Sequence, residues 1–336
     1  MPYRIVQVYT ASDIKEPLDA LKEKQEIIDF WEGNLRDRRS AYNILCHTED
    51  TQKLTDLLTS MTDEEEDKHV IVLPVQAALP VTQMNEEEQE KREKKRGRSN
   101  GVLSREELYE QVKRGARLDM NYMMMVLFST IVAAIGVLQN NVAVIIGAMV
   151  IAPLLGPNLA LALGATLGDK VLLKRAAITG LAGLALGIGF SIVFGYLWPG
   201  DPYSEELMTR TRVGLDGVAI AIVSGAAGVL SLTTGVSSVL VGVMVAVALM
   251  PPTVVLGIML GHGDLEHAFG AFLLLAINIV CINLAAKVVF RIKGVEPRTW
   301  YEKQEVKTHI RWQMVSWTIA LGLLIALMFF KRFVVF

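Results

Sequence analysis

Only two of the 336 residues are cysteine, Cys46 in a polar region and Cys281 in an apolar run. That separation supports neither a disulfide framework nor a thiolate metal site, so both are expected to be free, packed thiols. No Asp, Glu, Lys, Arg or His falls in the middle of any long apolar run, which leaves a proton relay or voltage sensor without a carrier. Paired carboxylates and Ser/His or Cys/His sets are missing from the same runs, which argues against an embedded enzyme. No signal-peptide pattern precedes Pro2, Tyr3 and Arg4, so the N-terminal part is expected to stay in the cytoplasm. The formal net charge of −2 conceals a segregation. Charged residues abound from Met1 to about Leu118 and nearly vanish from Met120 to Trp198, apart from Asp169, Lys170, Lys174 and Arg175.

Residues 1–82 read as one small α+β domain with a ferredoxin-like βαββαβ order. Strands are expected at Arg4–Thr10, Glu26–Glu32 (with a turn at Gly33–Asn34), Ser40–His47 and His69–Val75. Helices are expected at Asp13–Lys24 and from Asp50 to about Met61; His47 and His69 fall at strand ends. This arrangement hosts many functions, the sensing of a small regulatory ligand among them, so it decides none. Residues 83–103 form a charged linker whose basic half could touch anionic lipid. Nucleic acid is not an expected partner, because no aromatics interleave the charge. Residues 104–118 predict an amphipathic interfacial helix, with Ser104 and Glu107 as a capping box and Leu103 and Leu108 as its staple.

What fills the remainder is apolar. Seven membrane-length segments are expected near 120–138, 142–168, 176–198, 216–234, 238–261, 267–290 and 313–330. Two of them resemble each other. Val142–Asp169 and Ser238–Asp264 align without a gap at an offset of 264 − 169 = 95, matching Gly147/Gly242, Met149/Met244, Pro157/Pro252, Gly168/Gly263 and Asp169/Asp264. Coincident proline and a shared Gly-Asp ending are rarer than matched Leu or Val, so they carry the case for internal duplication. The repeats would then be residues 119–198 and 216–291, with an extracytoplasmic loop 199–215, a cytoplasmic loop 292–312 and a seventh span in 313–336. Lys and Arg concentrate in the loop after segment 2 and in the loop after segment 6, and carboxylates lead in 199–215. With three spans per half, this pattern predicts a 3+3 inverted repeat with proline-broken helices.

GAMVIAPLLGP at Gly147–Pro157, together with VGVMVAVALMPP at Val241–Pro252, resembles the prokaryotic membrane family catalogued as domain-of-unknown-function 389, the uncharacterised hydrophobic domain family. The resemblance covers roughly Arg4 to Phe290. It implies a multi-pass protein of a bacterial or archaeal plasma membrane and assigns no activity, substrate, cofactor or site residue.

Pro157 and Pro252 suit the first turn of a restarted helix, where the missing N–H is no loss. Two such helices are expected to meet near the bilayer midplane and present their positive ends to a solute. The expected pathway residues are Asn158 and Thr253 first, beside Gly156, Pro157 and Pro252, then Ser129, Ser224 and Asn278. Asn278 and Asn283 could equally join helices, and Lys287 is expected to reach a span end by snorkelling. His262, Asp264, Glu266 and His267 match no metal spacing and read as a solvated loop. The small-residue spacings Gly183/Gly187 and Gly225/Gly228 permit close helix packing, or a homo-oligomer interface. The expectation is a transporter of a small solute or ion, leaning to an anionic or polar uncharged one, with a cytoplasmic regulatory domain. A pore is the neighbouring reading, and a membrane-anchored sensor or scaffold is the reading from another class.

The charge bias predicts an orientation that labelling can check. In a background without native cysteine, a membrane-impermeant maleimide applied to intact cells should label Ser204→Cys and spare Lys170→Cys. The reverse pattern would sink the inverted arrangement.

Overall fold

The computed structural model describes residues 3–10, 13–24, 27–34, 40–47, 50–61, 69–75, 105–200, 202–234, 238–295 and 315–330. The linker 83–103, the cap residues Leu103 and Ser104, and most of the loop 292–312 lie outside them. Contacts divide the chain into two units, Met1–Glu107 and Leu108–Phe336.

In the first unit, alternation in the sequence becomes alternation in burial. Every second residue of β1 (Tyr3–Thr10) is buried, beginning with Arg4. α1 (Lys15–Glu23), β2 (Asp29–Asn34), β3 (Ser40–His47), α2 (Thr51–Met61) and β4 (His69–Pro74) follow. The sheet is antiparallel in the order β2-β3-β1-β4. Leu18 of α1 and Leu54 and Leu58 of α2 close over Val6, Val8, Tyr42 and Ile44 to form the core. A fully buried leucine contributes roughly 1.5–3 kcal/mol of such a core. Cys46 belongs to this core and is unpaired, as expected. The expected turn at Gly33–Asn34 is corrected: both residues continue β2, opposite Ala41 and Ser40 of β3. Ladder pairing with β3 therefore outweighs the local turn preference of the Gly-Asn pair.

The second unit is helical. Its elements are α3 (Arg105–Gly115), α4 (Met120–Leu138), α5 (Val142–Ile151), α6 (Leu155–Leu167), α7 (Lys170–Leu197), α8 (Glu205–Thr209), α9 (Leu215–Thr234), α10 (Ser238–His262) and α11 (Leu265–Ile292). A last described helix, α12, covers Val315–Phe330. Among the described residues, four helices are long and apolar enough to cross a membrane, or five if the bent pair α5–α6 counts as one span. Large apolar side chains such as Phe128, Leu181, Val193, Phe269 and Phe272 face outward, which suits lipid rather than water.

The 95-residue offset reappears in the elements. α4 and α9 begin at Met120 and Leu215, and α7 and α11 begin at Lys170 and Leu265. Each of the latter helices follows a left-handed glycine, Gly168 (φ 74) or Gly263 (φ 84), a conformation that costs other residues 1–2 kcal/mol or thereabouts. Each is then capped by the aspartate next in line. Asp169 accepts from the Val171 and Leu172 amides at 2.9 Å, and Asp264 accepts from His267 N at 3.1 Å. Both caps lengthen what apolarity alone predicts: α7 and α11 have 28 residues each. Lys170, Lys174 and Arg175 consequently sit on the first turns of α7 and not in a loop. The expected extracytoplasmic loop also holds a helix, α8, capped by Ser204.

The predicted pair of broken helices is corrected to one. α5 and α6 are bent by 52° at their junction, whereas α10 runs unbroken through Pro251 and Pro252. Pro153 makes the difference. A residue before proline is pushed out of the helical region, and Ala152 has φ −64 and ψ 119. The position 95 residues after Pro153 is Ala248; in the second half the same restriction falls on Met250, before Pro251, and the helix runs through it. Pro157 and Pro252, shared by both halves, are not where the chain bends.

The independence of the first unit is testable. A fragment of residues 1–80 should fold alone, giving dispersed amide resonances and cooperative thermal unfolding. A fragment unfolded in solution would contradict a self-sufficient core of Val6, Val8, Leu18, Ile44 and Leu58.

Candidate functional site

Proline inside an apolar helix leaves a backbone carbonyl without its donor, and lipid offers no replacement. Pro252 orphans the carbonyl of Ala248. Asn278, on α11, fills the place: its Nδ2 donates to Ala248 O at 2.6 Å. Ser129, on α4, donates to Ala148 O at 2.7 Å, close to where α5 ends. Both residues are buried, at 5% and 0% exposure. Helix-joining is therefore what the structure shows Asn278 and Ser129 doing.

Asn158 and Thr253, partners in the repeat, make equivalent local bonds. Asn158 Nδ2 donates to Leu154 O at 3.2 Å and Thr253 Oγ1 to Leu249 O at 2.6 Å, each four residues back. Their outward neighbours differ. Asn158 Oδ1 accepts from Asn283 Nδ2 at 3.0 Å, which links α6 to α11. Thr253 lies against α7, where a methyl on Gly187 would meet its Cγ2 at 3.2 Å and Thr130 Oγ1 at 3.5 Å. Among the described residues no hydrogen bond joins Asn158 to Thr253. Gly156 meets backbone instead of solute space, because a Cβ there would strike the Gly115 carbonyl of α3. Ser224 is buried on α9.

Two long crossings organise these contacts. The α7–α10 crossing is tight. A methyl on Gly257 would lie 2.6 Å from Ile188 O and 3.1 Å from Ile192 N, and Gly195 and Gly261 meet opposing backbone as well. Gly187 and Gly225 are likewise spent on contacts within this chain, the latter 2.7 Å from Ile282 O for an added Cβ. The α6–α11 crossing is polar. It holds the Asn158–Asn283 bond, and Asn283 also donates to Ile279 O at 3.0 Å. Among the described residues, the buried Asn283 Oδ1, Asn278 Oδ1 and, at the other crossing, the Ser191 hydroxyl have no hydrogen-bond partner.

Lys287 requires a correction. It does not reach the surface by snorkelling: it is 6% exposed, with its ammonium 4.7 Å from the centroid of the Trp317 ring on α12. Trp317 supplies an aromatic face where bulk water was expected. The repeat sets Ile188 and Ile192 opposite Asn283 and Lys287, and gives no sign of that ring.

The turn residues form two further clusters. Tyr109 of α3 donates to Asp169 Oδ2 at 2.6 Å, and Tyr203 donates to Asp264 Oδ2 at 2.8 Å. The Asp169 carboxylate pushes the Tyr109 hydroxyl up to about 12. His267 Nδ1 also lies 2.7 Å from Asp264 Oδ2. Burial pushes the Asp264 carboxyl up, but the His267 amide, the Tyr203 hydroxyl and the His267 ring outweigh it and hold it at about 2. The letters His, Gly, Asp and His thus build a helix cap with a tyrosine latch.

Helix lengths, outward apolar faces and carbonyl-capping asparagines define a polytopic membrane protein. A family model for a domain of unknown function, DUF389, matches residues 149–284. The chain is 34% identical over 319 residues to an uncharacterised protein of the archaeon Methanocaldococcus jannaschii, covering 94% of this chain and 96% of that one. The chain belongs to this DUF389 family. No solved structure matches it.

The capping role of Asn278 predicts a rescue. Asn278→Leu should destabilise the purified protein by about 1–3 kcal/mol, because Ala248 O loses its donor. Adding Pro252→Ala restores a backbone N–H four residues on and should recover most of the loss in melting temperature. A double variant no better than Asn278→Leu would show that the asparagine acts otherwise.

Proposed function

We propose that this protein transports a small solute or ion across a prokaryotic plasma membrane, with the N-terminal unit as a cytoplasmic regulatory domain. The observation that carries this reading is the repeated set of helices. With α4, the α5–α6 pair and α7 as three spans, and α9, α10 and α11 as three more, the second half enters the membrane from the opposite side. Transporter folds of this kind bind solute where a discontinuous helix meets the other half. Here the discontinuous pair is α5–α6, and the bond from Asn158 to Asn283 reaches the other half. The restarted α6 contributes its positive end close to Asn158, which favours an anionic or polar uncharged solute.

The N-terminal unit adds a ferredoxin-like arrangement that supports a regulatory role. Its helices cover one face of the sheet, and the opposite face presents Trp31, Ile71 and Leu73, each at least 40% exposed. That apolar face is suited to a small ligand. It also favours the second reading, a membrane-anchored sensor, in which the helices transmit without transporting.

Reconstitution separates the two. Liposomes containing the full chain, presented with concentration jumps of small anions and polar neutral solutes on a solid-supported membrane, should yield a transient current or tracer uptake. Asn158→Leu should abolish the response while leaving expression and monodispersity intact. Thr253→Val, in the tight crossing, should retain at least a third of it. Silence of the parent across the panel would favour the sensor.

A further inference from the structure

The two crossings descend from one pattern, and their difference is informative. In the α7–α10 crossing, the backbone of Ile188 and Ile192 and the Cβ of Ser191 between them meet Gly257, so one turn of α7 lines the contact. The repeat places Asn283 and Lys287 at those positions in α11. Asn283 faces α6 through Asn158, and Lys287 follows one turn later on the same side of the helix. Two isoleucines in the first half are matched by a carboxamide and an ammonium in the second.

Each of these groups is left with an unmet demand. Asn283 is fully buried and its Oδ1 accepts no hydrogen bond among the described residues. Lys287 is 6% exposed and has no carboxylate partner among the described residues. The Trp317 ring answers the Lys287 ammonium only in part; a buried charge without a counter-charge costs several kcal/mol, and an unpaired buried carbonyl about 1–3. Water can answer the carbonyl but not the charge. An anion can answer the charge, and an anion that keeps a hydrogen on oxygen answers both.

We propose that Asn158, Asn283 and Lys287 form a binding site for a small oxyanion bearing an O–H group, of the class of hydrogencarbonate, dihydrogen phosphate or a 2-hydroxycarboxylate. The anionic oxygen pairs with the Lys287 ammonium, and the O–H donates to Asn283 Oδ1. Asn158 holds Asn283 in place by accepting from its Nδ2, which leaves Oδ1 as the free acceptor. The first turn of α6, which carries Asn158, adds the favourable end of its dipole. This deepens the transport reading by naming its substrate class, and it rests on that reading only for the statement that the anion is carried across.

Binding is measured apart from flux. Purified full-length protein in detergent is melted at neutral pH in sodium chloride, sodium hydrogencarbonate, sodium phosphate or sodium lactate at equal ionic strength. At least one oxyanion should raise the melting temperature by several degrees over chloride. Lys287→Met should itself melt higher than the parent in chloride, since it removes a buried charge, and should lose the oxyanion shift. Lys287→Gln should weaken the apparent affinity about thirtyfold or more. Asn283→Leu should also lose the shift, and Ser191→Ala, at the tight crossing, should keep it. No shift in the parent, or a shift retained in Lys287→Met or Asn283→Leu, overturns the site. Oxyanion binding without liposome flux leaves the site standing and removes the transport reading; flux of another solute without oxyanion binding does the reverse.

Discussion

A backbone carbonyl inside a bilayer needs a donor, and the helical half of this protein is organised around carbonyls that proline has deprived of theirs. Each proline removes one N–H, and the deficit falls four residues earlier. The two halves answer differently. α10 remains one element, and Asn278 reaches across from α11 to supply one of its two missing hydrogens, the one that Pro252 removes. In the first half Pro153 forces Ala152 into an extended conformation, and the chain bends instead. A bend frees more polar backbone than it satisfies, so it persists only where protein or water covers it. That requirement makes the α5–α6 junction the more informative of the two proline sites.

Close packing sets the second constraint. Helices that approach without a hydrophobic driving force need one small residue per contact, but not on a fixed partner. The repeat demonstrates this. Where α4 meets α7, Thr130 faces Gly187; at the equivalent contact of α9 with α11, Gly225 faces Ile282. The glycine has changed sides while the contact has been kept. The same freedom explains the α7–α10 crossing, where Gly195, Gly257 and Gly261 are distributed over both helices. Substitution that preserves a contact follows from packing alone. Replacing Ile188 and Ile192 by Asn283 and Lys287 does not, because it puts in place of two apolar side chains a carboxamide oxygen with no donor among the described residues and an ammonium with only an aromatic face.

Much of the fold was legible because its signals are local. Period-two alternation marked β1, and the apolar runs marked the bodies of α7 and α11, whose starts the capping Gly-Asp pairs move to Lys170 and Leu265. The turn expected at Gly33–Asn34 was misplaced because strand pairing with β3, a non-local interaction, decides it. The second helix break was misplaced because Pro157 and Pro252 stand out as the repeated feature, whereas the unrepeated Pro153 does the bending. Lys287 was missed since charge near a span end normally reaches water, and only the position of Trp317, 30 residues later in the chain, shows otherwise. Tyr109 and Tyr203 were invisible for a simpler reason. They lie 60 and 61 residues before their aspartates, so an ungapped alignment at 95 sets Tyr109 against Ser204.

Those tyrosines constrain how the molecule can move. Each ties the segment preceding the first helix of a half to the turn preceding its third: α3 to Asp169, and the stretch before α8 to Asp264. His267 beside Asp264 invites a reading of that latch as a pH switch. The carboxyl argues against it. With its value held at about 2, below the ordinary 3.8, the stabilisation it contributes is complete above the ordinary value and is lost only as pH falls towards 2. Asp264 therefore stays charged, and available to Tyr203, at any pH a cell meets. Both latches join helical segments far apart in the chain, and in the proposed transport reading a change of exposure would fall between the halves, at the α7–α10 and α6–α11 crossings. Of these, the glycine-lined crossing packs backbone against backbone, and the polar one holds the Asn283 Oδ1 without a hydrogen bond among the described residues.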